Sequence, residues 1–367
     1  MSRETNPLEI VGLGFCCQDD LLLLSEIPPP EGRATVLRRD RQGGGMVATA
    51  MVAAARLGAR AGFIGRVGDD PAGTQLREEF GAYGVDISRL VTVPGARTHI
   101  TVVLVDSRTG ARSFLAQRGT AGEPAANELD QAYVAQARYL HLADAGAAAV
   151  QAARWVKAAG GEVCFDGTHF HPAVFGLLPW IDYLIVSRFF ASEYAAHRAG
   201  RRLGRAAQAF AAVHESGPPI EHGDAGDSGS GKEAPTGVHG SSPPVEHGPG
   251  AEDVELLQGE QLLATAERLR EHGPPVVVVT EGEHGCWCAS AEGTFHVPSF
   301  AVAPVVDTTG AGDVFHGAFL VGRARGWDLL RSLRLASAAA ALKCRALGGR
   351  AGIPSLDEAL ALAGLDR

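Results

Sequence analysis

The segment VVDTTGAGDVFHGAF, Val305–Phe319, places three small residues, Gly310, Ala311 and Gly312, directly before the carboxyl group of Asp313. An apolar run ends there and a helical pattern begins. Residues without bulk let backbone N–H groups approach an anion closely, and a helix N-terminus adds partial positive charge. Such a turn reads as an anion hole. A carboxyl group set into it is expected to be held ionised by the dipole, the amides and any bound cation. It could orient an incoming hydroxyl and accept its proton as a phosphoryl group arrives. A depressed proton affinity would suit late proton capture and alignment rather than early abstraction. The plain alternative is that Asp313 is an ordinary helix cap, a position Asp favours.

Other chemistry-bearing residues carry weaker signals. His169 and His171 in THFHP lie two apart. They read as loop histidines near a substrate mouth rather than a metal pair, because metal centres need more ligands. Asp166 closes a predicted strand, at the edge where open α/β sheets bind ligands. Arg97 and Arg118 flank a predicted pair of strands and read as solvated. The six cysteines are scattered and form no CxxC pair. They are expected to be reduced thiols of a cytoplasmic protein. Cys286 and Cys288 share one face of a strand. Gly226–Lys232, GDSGSGK, fits the first seven places of a phosphate-binding P-loop. Glu233 follows where a hydroxyl should ligate Mg²⁺, and neither strand nor helix flanks it, so the motif is rejected. GLGFCC and GAGDVF begin like a dinucleotide-binding fingerprint but end in Cys17 and Phe315, which argues against an oxidoreductase.

The elements that must position these groups alternate along the chain. Strands are expected at LEIVGLG, RATVLRRD, RAGFIGRVG, ARYLHLAD, GEVCFDG, DYLIVS and PPVVVVTEG, and around His99–Gln117. Helices are expected after GGG at Gly43–Gly45, after Pro71, and near Ala147–Ala159, Ala191–Ala212, Gln261–Glu271, Asp313–Arg325 and Asp328–Leu347. Strand–helix alternation implies a mainly parallel sheet covered on both faces, with ligands at the carboxyl ends of its strands. The stretch from about 214 to 253 breaks the pattern. It is rich in Gly, Pro, Ser, His and acid and is expected to be a disordered insertion. Its histidines, His214, His222, His239 and His247, read as solvated spacer. The 367 residues carry a net charge of −9. That disfavours nucleic acid or an anionic membrane as partner. Neither a signal peptide nor a bilayer-spanning run is expected.

Two segments together resemble the PfkB, or ribokinase-like, family of carbohydrate kinases. DTTGAGDVFHGAF is similar to that family's second signature. GGGMVATAMVAAARLGARAGFIGRVGDDPAG, Gly43–Gly73, is similar to its first. The order and separation also match, and the resemblance covers nearly the whole chain outside the insertion. It implies a single domain over 1–367, a three-layer α/β/α sandwich with a mainly parallel central sheet. It also implies a small β-sheet lid formed by strands at about 19–42 and 92–118. The implied reaction transfers the γ-phosphate of ATP, with Mg²⁺, to a hydroxyl of a sugar or sugar derivative. Asp313 matches the base, and Gly310, Ala311 and Gly312 the anion hole. Asp19, Gly43, Gly44 and Asp69 match positions around the acceptor, joined by Asp166 and by Arg33 from the lid. Thr280, Gly282, Gly285, Ala341 and Cys344 fall on the nucleotide side. Asp307 and Thr309, with the carbonyls of Cys344 and Gly349, match a monovalent-cation (K⁺) site. An exposed lid face implies a homodimer.

The chain also departs from the family pattern. Ser187 and Phe190 stand where many members have Asn and Glu. Glu193, one turn on, is the nearest replacement toward the Mg²⁺ water shell. Ala48 replaces an acceptor-binding Asn, and Gly352 a Ser of the cation site. Motif details are similar to the branch containing sulfofructose kinase, but Ala116 and Gly146 stand where polar partners of a sulfonate would be expected. The competing reading is a non-catalytic sugar or nucleotide sensor on the same fold. Retention of Asp313 with its glycines opposes it.

Overall fold

The computed structural model describes residues 8–201 and 254–367. The chain opens with β1 (Ile10–Leu13), β2 (Cys17–Leu24), β3 (Val36–Gly44), α1 (Met46–Arg56), β4 (Ala61–Gly68), α2 (Pro71–Ala82) and β5 (Asp86–Val93). It continues through β6 (His99–Asp106), β7 (Arg112–Gln117), α3 (Gln131–Ala135), β8 (Tyr139–Leu142), α4 (Ala147–Ala158), β9 (Glu162–Gly167), β10 (Tyr183–Ser187) and α5 (Arg188–Arg198). After 254 come α6 (Glu260–Arg270), β11 (Val276–Thr280), β12 (Cys286–Ser290), β13 (Gly293–Val297), α7 (Ala311–Ala324), α8 (Leu329–Lys343) and α9 (Leu356–Ala363).

Nine strands form the central sheet, in the order β13-β12-β11-β10-β9-β8-β1-β4-β5. Strands from β5 to β11 pair in parallel. The sequence reading missed the exception: β12 and β13 add an antiparallel edge. All four residues of β1 are buried, as expected of a parallel strand covered on both faces. Alternate residues feed two cores. Val276 and Val278 of β11 join Phe63, Phe315 and Phe319 on one face. Val277 and Val279 join Leu140, Leu184 and Phe190 on the other. Each such side chain contributes roughly 1.5–3 kcal/mol by leaving water.

Small residues set how closely the helices approach. A Cβ at Gly12 would collide with Val47 and Met51 of α1, and one at Gly317 with the Ala50 carbonyl. The alanine-rich α1 therefore wedges between β1 and α7. This packing fixes the start of α7 relative to the carboxyl ends of the strands.

A second sheet, in the order β3-β2-β6-β7, stands apart from the first. Its inner side is a small cluster of Leu21, Val103 and Val105 with Leu347. Val36 and Leu115, paired with Leu24 and Val102, are more than half exposed on its opposite side, as are Leu37 at the β2–β3 irregularity and Phe114, which pairs with Val103 of the inner side. The end of β3 turns inward, and Gln42, Gly43 and Gly44 are buried. The helix expected over Ala191–Ala212 begins earlier, as α5, and its stretch from 202 onward lies outside the described residues. So do the insertion at 214–253, its histidines and GDSGSGK.

Candidate active site

Gly310 is the N-cap of α7, with φ of 74°. That conformation suits glycine, and a Cβ there would strike the Gly349 backbone. No side chain caps the helix. A Cβ on Gly312 would meet nothing within 4 Å. The space beside Gly312 is therefore open, and no side chain occupies it, while the Ala311 amide donates to the Thr308 carbonyl at 3.2 Å; a free approach to a helix N-terminus is what an anion site requires.

The turn before α7 is held from within. Asp307 is fully buried. Its Oδ1 accepts hydrogen bonds from Thr309 N at 2.8 Å and Thr309 Oγ1 at 2.7 Å. Its Oδ2 accepts from Gly348 N at 2.7 Å. Its carbonyl accepts from Lys343 Nζ at 2.7 Å. The Cys344 carbonyl accepts from the Val306 and Asp307 amides at 2.8 and 3.2 Å. Thus Asp307, Thr309 and Cys344, matched to a monovalent-cation site, already have protein partners. One of those partners is a buried ammonium group.

Asp313 is half-buried at the start of α7. Burial and the negative charges of Asp166 and Asp19 push its proton affinity well above the usual carboxylate range, against the opposing Lys343 and Arg350. This reverses the depressed affinity expected from the helix terminus. Two neighbouring carboxylates outweigh a partial charge of roughly half a unit.

Asp19 lies on β2, buried. A Cβ on Gly44 would collide with its carboxylate, and one on Gly43 with the Arg350 guanidinium. The two glycines thus make room for a buried anion and a buried cation side by side. Arg350 Nη1 lies 3.3 Å from Glu79 Oε1, and Nη2 donates to the Gly44 carbonyl at 3.2 Å. Burial raises Asp19 to about 6, although Cys17 and Arg350 pull it down. Asp166, on β9, is buried with Oδ1 3.3 Å from His316 Nε2.

Asp19, Asp166, Asp313, Gly43, Gly44, Gly310 and Gly349 are therefore drawn to one region, at the ends of β2, β3 and β9 and the start of α7. Other expected residues lie elsewhere or are committed. Arg33 is exposed on the loop between β2 and β3. Asp69 is exposed at the end of β4, with Oδ2 accepting from Gly95 N at 2.9 Å. Thr280 ends β11, Gly282 and Gly285 form the following turn with φ of 61° and 93°, and Ala341 lies on α8. Both Glu193 oxygens serve the 168–170 loop, accepting from Phe170 N at 2.8 Å and facing His169 Nδ1 at 2.8 Å. Ser187 caps α5 and Phe190 is core. Neither offers the ligands expected after β10.

The sequence reading missed Lys343 and Arg350. Both occur in AAAALKCRALGGRAGIP, the segment that carries Ala341 and the Cys344 and Gly349 carbonyls. The available signal was three cations, Lys343, Arg345 and Arg350, inside an otherwise small and apolar run, of which only Arg345 is exposed. Such a run is buried, and buried cations need partners.

Comparison with known proteins agrees with this fold. The chain is 25% identical to an ATP-dependent ribose-1-phosphate kinase of Halopiger xanaduensis, over 95% of this chain and 96% of that protein. It is 26% identical to a 5-dehydro-2-deoxygluconokinase of Shouchella clausii, over 98% and 97%. It is 27% identical to an aminoimidazole riboside kinase of Salmonella typhimurium, over 86% of each. Among solved structures, Arabidopsis thaliana ribokinase, complexed with ribose and ATP, matches with a TM-score of 0.72 at 22% identity, over 98% of this chain and all of that one. Adenosine kinase from Sinorhizobium meliloti matches at 0.67 and 19%, over 98% and 100%. At these identities the structural matches establish the fold. The family described as pfkB family carbohydrate kinase matches residues 9–217 and 250–356. A fold shared with ribokinase, a glycine-lined helix terminus beside a carboxylate and a family match over most of the chain make this protein a member of the PfkB carbohydrate kinases, phosphotransferases with an alcohol group as acceptor.

Proposed function

We propose that the protein transfers the γ-phosphoryl group of ATP to a hydroxyl of a sugar or sugar derivative, with Asp313 as the base. The carrying observation is the uncapped start of α7, where Gly312 borders open space beside Asp313. The reaction's loose transition state puts charge on the phosphoryl oxygens, so positioning and charge stabilisation dominate. The amides of Gly310, Ala311 and Gly312 receive that charge. Asp313 orients the acceptor hydroxyl and takes its proton. Its raised proton affinity makes it a stronger base than an ordinary carboxylate. Mg²⁺ carried in with the nucleotide would supply positive charge to the phosphate oxygens, with Glu193 the candidate side chain toward its water shell.

The acceptor lies between the small sheet and the strand ends. Asp19, Gly43, Gly44 and Asp166 line it, with Asp69 and Arg33 at its rim. Thr280, Gly282, Gly285, Ala341 and Cys344 form the nucleotide side. The small sheet is its lid, and the exposed Val36, Leu37, Phe114 and Leu115 fit pairing with the lid of a second copy. The activities of the related ribose-1-phosphate kinase, 5-dehydro-2-deoxygluconokinase and aminoimidazole riboside kinase favour a ribose derivative or a sugar acid as acceptor. Among the described residues, no helix is long and apolar enough to cross a membrane.

The test is ADP release across a panel of sugars, sugar phosphates, sugar acids and nucleosides with Mg²⁺. Acceptor-dependent release is expected, falling ~10²–10⁴-fold in Asp313→Ala, the usual range for a lost general base. Tight binding of acceptor and ATP without turnover would replace the kinase reading by the sensor.

A further inference from the structure

We infer that His141, Cys164 and His316 form a binding site for one zinc ion, adjoining the proposed phosphoryl-transfer site through Asp166 but sharing no ligand with it. His141 of β8 and Cys164 of β9 are directly paired in the parallel register. Neighbouring residues in register point to the same face of a sheet. Helix α7 covers that face and brings in His316. One ligand atom from each of the three lies within 4.8 Å of the others. Cys164 Sγ is 4.0 Å from His316 Nδ1.

These groups are poorly explained as ordinary core. His141 is 0% exposed, and neither ring nitrogen makes a hydrogen bond of acceptable geometry. Buried polar groups are normally paired. An Sγ···N contact of 4.0 Å is at the limit of a weak thiol hydrogen bond, and it leaves His141 unanswered. A metal ion would satisfy all three groups at once.

The surroundings also suit a metal. Asp166 Oδ1 is 3.3 Å from His316 Nε2. A proton held on Nε2 by that carboxylate leaves the Nδ1 lone pair directed to the side where Cys164 Sγ lies. A carboxylate behind a histidine ligand is the usual outer partner of a metal centre. One thiolate and two imidazoles select zinc over magnesium or calcium. Zinc bond lengths of 2.0–2.3 Å in a tetrahedron put ligand atoms roughly 3.3–3.7 Å apart. The observed separations close to that range with displacements of about 1 Å. On binding, Zn²⁺ forms the Zn–S bond and the thiol proton leaves to solvent. The ion would tie β8 and β9 to α7, the helix that carries Asp313.

Cadmium is the probe, because a thiolate–cadmium bond gives ultraviolet charge-transfer absorption and imidazole alone does not. The four histidines between 214 and 247 therefore cannot mimic the signal. Full-length protein, stripped by chelator under a non-thiol reductant, is titrated with Cd²⁺ both folded and during refolding. One Cd²⁺ per chain with the thiolate band is expected. The band should vanish in Cys164→Ser, and the affinity should fall at least tenfold in His141→Phe. Zn²⁺ should raise the melting temperature of the wild type and not of Cys164→Ser. Absence of the band under both conditions overturns the site. So does a band that persists in a folded Cys164→Ser, since Cys16, Cys17, Cys286, Cys288 or Cys344 would then be the source. Should Cys164→Ser fail to fold, His141→Phe decides alone: unchanged Cd²⁺ affinity rejects the site.

Discussion

Asp19 shows how one buried side chain can oppose stability and support function. Its folded proton affinity is raised from 3.8 to about 6, chiefly by burial. A raised carboxyl value means the folded state holds the proton more tightly than the unfolded chain. The penalty is therefore absent below about 3.8 and fully present above about 6. The shift of about 2 units corresponds to about 3 kcal/mol. Asp19→Asn is expected to gain up to that much stability at pH 8 and much less at pH 4.5, read from urea midpoints. If Asp19 binds the acceptor as an anion, the same variant should raise the acceptor KM. The wild-type kcat/KM should also fall as pH drops below about 6. Lys343 is the other decisive residue. Its buried ammonium holds the Asp307 carbonyl and counters the charge on Asp313. Lys343→Met should push the Asp313 proton affinity still higher, moving the acidic limb of the pH–rate profile to higher pH. Wild-type turnover should be the same in K⁺ and in choline salts, because the groups matched to a cation site have protein partners. A K⁺ requirement in wild type would reject that view.

At the scale of elements, the start of α7 separates two uses of glycine. Gly310 is structural: its φ of 74° and its approach to Gly349 exclude a side chain. Gly310→Ala should lose about 1 kcal/mol or more, through strain and collision. Gly312 is different. It sits inside the helix, and a methyl group there would meet no protein atom within 4 Å. Gly312→Ala should be neutral or stabilising by up to about 1 kcal/mol, from helix propensity. It should nonetheless reduce kcat, because the methyl group occupies the anion's space. Thermal melting and steady-state kinetics on the two variants test the distinction. A Gly312→Ala enzyme with full activity would remove the proposed anion hole. The glycines of GGG are equally readable in retrospect. Gly43 and Gly44 are side-chain-free because Arg350 and Asp19 fill the space above them.

For the whole molecule, the second sheet exposes apolar side chains that a second copy could cover. Its inner side packs on Leu347, while Val36 and Leu115 lie open on the other, with Leu37 exposed beside them at the β2–β3 irregularity. A patch of this kind on both β3 and β7 suits a two-fold lid-to-lid contact. Sedimentation is expected to show a dimer that Val36→Asp with Leu115→Asp converts to a monomer of unchanged melting temperature. A wild-type monomer at micromolar concentration would reject the pairing.

Much of this protein was determined by local sequence. Alternating apolar strands and capped helices specify a parallel α/β sheet, since each element's periodicity reflects which of its faces is buried. GAGD at a helix start specifies an open N-terminus beside a carboxyl group, since only small residues leave amides uncovered there. Tertiary structure alone decided the electrostatics. Asp313 is raised rather than depressed because the fold buries it and because Asp166 and Asp19, remote in sequence, converge on it. Lys343 and Arg350 are buried cations rather than surface charges because their segment folds back against Asp307 and Gly44. The antiparallel edge of β12 and β13 and the pairing of His141 with Cys164 are likewise matters of register. Charge interactions act through space across tens to hundreds of residues, whereas propensity and periodicity act within a few. A linear reading can therefore locate a site's backbone but not its charge balance.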